Sequence, residues 1–389
     1  MLNYRIIPVT AGDYRALAEK RLPRFLFDYI DGGSGEEISM ARNLGDLAEI
    51  RLEQRVMRDV GQVDTATELM GQKVAMPLAL APVGLAGMYR RRGEAQAARA
   101  AKSCGVPFAT STVGICPVEE VQEAAGGEAW FQLYMLRDRS VVDAMLERAR
   151  RAGCKTLVFT VDLPATGKRY RDDRNGMISG GWKAKSAKAL QLATRPAWLW
   201  DVGIRGKPHD FGNLTGVVKG VSDLKSFKDF IDTQFDPSVT WKDIEIVREK
   251  WPGKLLVKGV MCAEDAVSAF DSGADGVVVS NHGGRQIDGV ASSISRLPAI
   301  VHAVDERGEI YVDGGVRNGA DVIKAVALGA RGVLIGRAWA YALAARGERG
   351  VSDLLRVIRE EMANSMALMG VRSVDELHPG LVDTREVSP

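Results

Sequence analysis

Cysteine is scarce in this chain, and its few cysteines stand apart. Cys104, Cys116, Cys154 and Cys262 form no CxxC pair and have no histidine set near them. That pattern excludes a disulfide scaffold and offers no metal site, and it fits free thiols in a reducing compartment. Charge of one sign is equally lacking. The 52 Lys and Arg nearly balance 50 Asp and Glu, leaving a formal net charge of +2 and no long basic tail. Nothing global therefore draws the chain to nucleic acid. No apolar run reaches the roughly 18 residues of a membrane span, and the start, Met1-Leu2-Asn3-Tyr4-Arg5, lacks the apolar core of a signal peptide. A cytosolic or peripheral location is the expectation. The dinucleotide fingerprint is missing too, since Asp313-Gly314-Gly315-Val316-Arg317-Asn318-Gly319 does not fit GxGxxG.

With 389 residues, 46% of them hydrophobic, the chain can bury a large core. Short apolar runs alternate with helical patterns from about residue 76 onward. The expected strands are 77–81, 107–110, 130–134, 156–161, 255–258, 276–280, 310–313 and 332–335, and helical stretches such as 94–103, 140–151, 263–272 and 319–328 follow them. Eight strand–helix units in a row predict an α/β fold, a parallel sheet closed into a (β/α)8 TIM barrel. A doubly wound sheet is the alternative. The chain is expected to be one domain, 1–389, with residues 1–75 as a largely helical prefix over one end of the barrel. Residues 163–240 separate the fourth strand from its helix, where connections usually run about 2–6 residues. This excursion leaves the carboxyl end of a strand, the face on which barrel enzymes place their sites.

The run Val277-Val278-Val279-Ser280-Asn281-His282-Gly283-Gly284-Arg285-Gln286 carries the most chemistry. A buried strand delivers a group that titrates near neutral pH, His282, and a planar cation, Arg285, to one spot. A base beside a carboxylate clamp points to chemistry on the carbon next to a carboxylate. A strand end with a surface His and Arg is the plainer alternative. In a barrel, Gln132, Tyr134, Thr160, Asp162, Lys258, Ser280, His282 and Asp313 all end strands and converge on one mouth. The glycines of Asp313–Arg317 and of Gly336-Arg337 fall in the last two such loops, where barrels often bind phosphate.

Those segments, with Ile335-Gly336-Arg337, Ala81-Pro82-Val83-Gly84-Leu85, Met88-Tyr89 and Trp198-Leu199-Trp200-Asp201-Val202-Gly203, resemble the FMN-dependent L-2-hydroxy-acid dehydrogenase/oxidase family. The likeness runs from about Asp13 to about Ser373 and is nearest to the bacterial branch that oxidises L-lactate and passes electrons to a quinone. It implies FMN as cofactor. By resemblance, Lys258 stands beside the flavin N1–C2=O edge, Gln132, Thr160 and Ser280 bond the isoalloxazine, and Pro82, Val83, Gly84 and Ser111 lie against the ring and ribityl chain. Asp313, Gly315, Arg317, Gly336 and Arg337 match ribityl and phosphate contacts. On the substrate side Arg285 and Arg169 match carboxylate-binding arginines, Tyr29 and Tyr134 the two active-site phenols, His282 the catalytic base and Asp162 the carboxylate that orients it and favours its charged form. His209, His302 and His378 have no such company. One departure is Val113, where glycolate-oxidase-like members carry Trp, so pocket volume differs.

The resemblance implies oxidation of an L-2-hydroxy acid, foremost L-lactate to pyruvate, with a soluble O2-using oxidase and an L-mandelate dehydrogenase as alternatives. It also implies a homo-oligomer. Residues 182–207 add a clue of their own. They hold Trp182, Trp198 and Trp200, three of the chain's seven tryptophans, and Lys183, Lys185, Lys188, Arg195, Arg205 and Lys207 against Asp201. Tryptophan favours the membrane–water boundary, and each Lys or Arg near an anionic surface is worth about 1 kcal/mol. The expectation is a peripheral protein on the cytoplasmic face of the inner membrane, reducing a quinone. A solvated basic loop on a soluble cytoplasmic protein is the alternative.

Overall fold

A computed structural model describes residues 7–177, 182–215 and 233–384. Eight parallel strands form one sheet, which we label β1 (Leu78–Leu80), β2 (Ala109–Thr110), β3 (Trp130–Tyr134), β4 (Thr156–Thr160), β5 (Lys254–Val260), β6 (Gly276–Val279), β7 (Glu309–Asp313) and β8 (Gly332–Ile335). Each pairs with the next in sequence, and β8 returns to β1. Between β1 and β2 the ring closes through the Leu80–Phe108 bridge, where Leu80 N–H donates to Pro107 O at 2.9 Å. The fold is the (β/α)8 barrel expected from the alternation of runs.

Strand periodicity organises the interior. Ala79, Ala109, Trp130, Val158, Leu256, Val278, Tyr311 and Leu334 fill the barrel as one apolar cluster, one from each strand. Two residues further along β3, β4, β5 and β7 the side chains turn polar, at Gln132, Thr160, Lys258 and Asp313, and just past β6 at Ser280. Because side chains alternate with period two, these groups point the same way as the apolar layer, one rung nearer the carboxyl end.

The prefix serves both ends of the barrel, not one. Helix Arg24–Asp31 brings Tyr29 and Ile30 to the carboxyl-end cleft. Hairpin Thr67–Leu69/Gln72–Val74 seals the opposite end, adding Leu69, Met70 and Val74 to the interior cluster. Buried Asp31 ties the prefix to the rest. It accepts from Arg15 Nε (2.6 Å) and NH2 (2.7 Å), from Arg171 NH1 (2.7 Å) on the excursion and from Tyr341 OH (2.7 Å) on the last long helix. These partners hold its carboxyl below the ordinary value against the upward push of burial.

The excursion folds as helix Tyr170–Arg174, helix Trp182–Ala193 and a helical turn through Trp198 and Leu199–Ile204 before rejoining helix Trp241–Lys250. Residues 178–181 and 216–232, and the side chains of Lys183 and Lys185, lie outside the described residues. Its tryptophans divide. Trp198 is buried and donates Nε1–H to Met88 O at 2.8 Å, so it is a packing anchor, whereas Trp182 is 76% and Trp200 59% exposed. The basic residues divide too, since Arg195 Nε donates to Leu22 O and Lys188 Nζ to Met177 O, while Arg205 and Lys207 are exposed. Asp201 neutralises Arg21 and Arg90 at 3.2 and 3.3 Å.

Asp31→Ala should lower the stability of the fold by about 1–3 kcal/mol, because it removes the buried acceptor of the Tyr341 hydroxyl, while Arg15 and Arg171 stay partly hydrated and lose less. A denaturation midpoint that does not move would show that the hub contributes little.

Candidate active site

The cleft at the carboxyl end is lined by Tyr29, Pro82, Val83, Gly84, Tyr134, Arg169, Lys258, His282, Arg285, Asp313, Gly315, Arg317, Gly336 and Arg337, all anticipated from the sequence. Ser111, Gln132, Thr160 and Ser280 lie buried around it. Asp162 stands behind His282 and completes the anticipated set.

The loop after β6 is built to aim His282. Residues 282, 283 and 284 take φ values of 57°, 65° and 72° in succession. Glycine adopts this left-handed backbone freely, but at His282 it costs about 1–3 kcal/mol and persists only where surroundings enforce it. Here they do. His282 N–H donates to Ser280 Oγ at 3.1 Å, Gly284 N–H to Asn281 Oδ1 at 3.0 Å, and the Asn281 and Asn43 amides bond each other at 2.8 and 2.9 Å. A Cβ on Gly284 would sit 2.5 Å from Met40 N, so only glycine fits.

His282 Nδ1 lies 2.9 Å from Asp162 Oδ1. A carboxylate only accepts, so Nδ1 carries the proton and Nε2 is the free base nitrogen. Gln286 Nε2 fixes Asp162 by donating to its backbone carbonyl at 2.7 Å. Asp162 does favour imidazolium, but burial, together with Lys258 and Arg285, outweighs it and depresses the His282 pKa. The imidazole is thus neutral and ready to accept a proton. Burial pushes the Asp162 carboxyl up, yet His282 and Lys258 hold it below its ordinary value.

Lys258, 4% exposed, reaches Ser280 Oγ at 2.9 Å and Asp313 Oδ2 at 3.1 Å. Burial works against its charge, but Asp313 and Asp162 together raise its pKa, so a fixed cation stands in the floor of the cleft. Across from it, two guanidiniums approach the Tyr29 ring, Arg285 at 4.9 Å and Arg169 at 5.7 Å from the centroid. Arg285 is anchored through NH1 to Tyr29 O (2.5 Å) and Gly32 O (2.9 Å). Burial and then Arg285 lower the Arg169 pKa. Burial, followed by Asp162, keeps the Tyr134 phenol protonated.

One charged lining residue escaped the sequence reading. Asp172, buried and 3.8 Å from Arg169, faces the arginine pair, and burial raises its carboxyl pKa against the opposing pull of Arg285 and Arg169. Its signal was the i, i+3 spacing from Arg169 on a helical turn. The remaining histidines sit elsewhere where contacts place them. His209 Nε2 bonds Val202 O at 2.8 Å, and His378 Nδ1 accepts Gly380 N–H at 3.2 Å.

Buried polar atoms without a partner cluster here, among them Gln132 Nε2, Thr160 Oγ1 and Asp313 Oδ1. Such atoms cost about 1–3 kcal/mol each unless something bonds them. Their donors and acceptors beside the Lys258 cation suit the polar edge of a flavin. The phosphate end also fits. Gly314 and Gly315 have φ of 91° and 94°, Gly336 immediately precedes helix Arg337–Leu368, and Arg317 is close by. Arg337 lines the same space, but its donors go to Ile30 O, Gly283 O and Gly32 O at 3.1, 2.7 and 2.8 Å. It therefore binds the prefix to the His282 loop, and burial lowers its pKa to about 10.

A barrel with a flavin-shaped polar floor and a phosphate cradle defines a flavin-dependent oxidoreductase. The FMN-dependent dehydrogenase family profile matches residues 18–384, and the chain belongs to that family and uses FMN. The L-lactate dehydrogenase of Caulobacter vibrioides (strain NA1000 / CB15N) is 55% identical over 380 residues, 98% of this chain and 99% of its own. That of Xanthomonas campestris pv. campestris (strain 8004) is 53% identical over 367 residues, 94% and 95% of the two chains. Among solved structures, the monotopic membrane protein (S)-mandelate dehydrogenase superposes with TM-score 0.91 at 35% identity, covering 98% of this chain and 100% of that one. A mandelate oxidase gives 0.82 at 36% identity, covering 97% and 98%.

Gly315→Ala should strip the enzyme of flavin, because the new Cβ would lie 2.0 Å from Asn43 O at a positive φ. Bound FMN per chain after desalting, read from the flavin absorbance, should fall well below that of the unaltered protein. Full flavin content would show that the loop tolerates the side chain.

Proposed function

We propose that this enzyme oxidises a small L-2-hydroxy acid, L-lactate first, to the 2-oxo acid. The observation that carries the proposal is the neutral, Asp162-backed His282 sharing one cleft with the Arg285–Arg169 pair. Arg285 and Arg169 hold the substrate carboxylate, since planar guanidiniums suit that shape and charge. Tyr29 and the Tyr134 phenol, which burial keeps protonated, orient the C2 oxygen. His282 Nε2 takes a proton from the HO–C2–H unit, and Asp162 then stabilises the imidazolium it becomes. When bound, FMN supplies the two-electron acceptor. The Lys258 cation, held by Asp313, stabilises negative charge that develops beside it. The near-full-length likeness to named L-lactate dehydrogenases supports the choice of substrate.

Anaerobic mixing with L-lactate tests the reading directly. The flavin band should bleach in the unaltered enzyme, and failure of both L-lactate and L-mandelate to bleach it would reject a hydroxy-acid substrate. His282→Gln should slow bleaching by about 10²–10⁴-fold while FMN stays bound. The pH profile carries a sign. The base must be neutral, so kcat/KM falls as pH drops through the His282 pKa, which lies below its ordinary 6.5. Asp162→Asn removes the group that favours imidazolium, so the acid limb should move further down. A limb that moves up would contradict the pairing.

We further propose that electrons leave to a lipid-soluble quinone at a membrane surface reached through residues 182–207. Trp182, Trp200, Leu190 and Ile204 are 76%, 59%, 68% and 54% exposed on this one excursion, with Arg205 and Lys207 beside them. Apolar side chains interleaved with cations suit an anionic lipid interface. No helix among the described residues is long and apolar enough to cross a membrane, so the contact would be peripheral. The likeness to a monotopic membrane protein supports it. Replacing Trp182 and Trp200 by Ser should reduce co-sedimentation with anionic liposomes and quinone reduction together, while flavin reduction by lactate persists. Undiminished liposome binding, or brisk peroxide formation by the intact enzyme, would count against this acceptor.

A further inference from the structure

A second cavity lies beside the substrate end of the cleft. It measures about 470 Å³, and Val161, Val239, Trp241, Ile244 and Val260 supply much of its lining. Tyr134, Leu163 and Phe235 line both spaces and so form the partition between them. The Phe235 ring lies 4.8 Å from the Tyr134 ring, with planes tilted by 32°. Only 6% of Phe235 is exposed.

The backbone carrying Phe235 is held firmly. Arg137 N–H donates to Gln234 O at 2.8 Å and Asp236 N–H to Met135 O at 3.2 Å, an antiparallel bridge along the exit of β3. Arg139 fastens the same stretch, reaching Asp236 at 2.6 Å and Asp243 at 2.9 Å. Phe235 is therefore a fixed wall, not a lid. Polar groups around the second cavity are partly spent already, Asp236 on Arg139 and Ser238, and Thr240 on Asp243. What lies behind the wall is a mainly apolar surface.

With the carboxylate on Arg285 and Arg169 and C2 at His282, the substituent on C2 is left to the apolar lining, which includes Val113, Leu163, Met177 and Phe235. Val113 alone does not limit its length, because it is small. We propose that Phe235, with Leu163, sets the upper limit on the side chain of the hydroxy acid, and that the cavity behind is a latent subsite for longer unbranched aliphatic side chains. This rests on the hydroxy-acid reading of the cleft. Truncating the wall joins two spaces that are now separate, and a hydrophobic pocket discriminates by the methylenes it can or cannot house.

The test compares kcat/KM for L-2-hydroxyhexanoate and L-lactate in one series of variants. Phe235→Ala should raise the hexanoate-to-lactate ratio by about tenfold or more, and Phe235→Leu should raise it less. Val239→Trp added to Phe235→Ala fills the chamber and should bring the ratio back down. An unchanged ratio in both Phe235 variants overturns the proposal. So does a raised ratio that Val239→Trp leaves untouched, since the longer chain would then lie elsewhere. Flavin reduction by L-lactate in the unaltered enzyme is recorded in the same series. Failure of the hydroxy-acid reading shows there, whereas failure of the wall shows only in the ratio.

Discussion

A strand can turn only every second side chain inward, and that limit organises the whole molecule. In a closed ring of eight parallel strands, inward residues at one height must meet. One layer is apolar, from Ala79 round to Leu334, and it seals the barrel as a packed core. One rung higher come Gln132, Thr160, Lys258, Ser280 and Asp313. Polar groups are tolerated there because they stand at the mouth, where some bond each other, as Lys258 does Ser280 and Asp313. Had the polar residues fallen one position earlier, they would face the outer helices instead.

Charge in the cleft follows a second logic. Lys258, Arg169, Arg285, Arg317 and Arg337 gather in a space that also holds Asp162, Asp172 and Asp313. Burying so many cations is costly, and the structure offsets the cost in different ways. Lys258 leans on Asp313, and Arg337 gives its donors to three backbone carbonyls. Arg169 keeps Nε without a partner. A space so rich in cations suits anions such as a carboxylate or a phosphate. Burial first, and then Lys258 and Arg285 among these cations, lower the His282 pKa.

The prefix and the excursion complete what the barrel begins. Tyr29 arrives from helix Arg24–Asp31, Arg169 and Asp172 from the first turn of the excursion, and Phe235 from its far end. Asp31 joins these pieces to the last helix through Arg15, Arg171 and Tyr341. The site is therefore assembled from segments whose mutual placement depends on ionic and backbone contacts outside the sheet. Trp182 and Trp200 on the excursion are largely exposed and take no part in this assembly.

The strands, their order and the residues ending them were legible in the chain, because β-branched runs, glycine turns and period-two polarity are local properties. So was the pairing of His282 with Arg285, three residues apart on one loop. Other features needed the third dimension. Trp198 and Trp200 stand two residues apart in one basic stretch, yet one is anchored on Met88 and the other is exposed, since a helical turn sends them to different sides. The resemblance placed Asp162 behind His282, where it favours the charged form, but the opposing effect of burial, Lys258 and Arg285 depends on distances only the fold sets. Phe235 gave no motif, and Asp172 only its i, i+3 spacing from Arg169, because their meaning lies in what they face. Sequence determined which groups end the strands. Only the tertiary structure decided how their charges balance, because electrostatic energy depends on separation and solvent exposure, and neither is written along the chain.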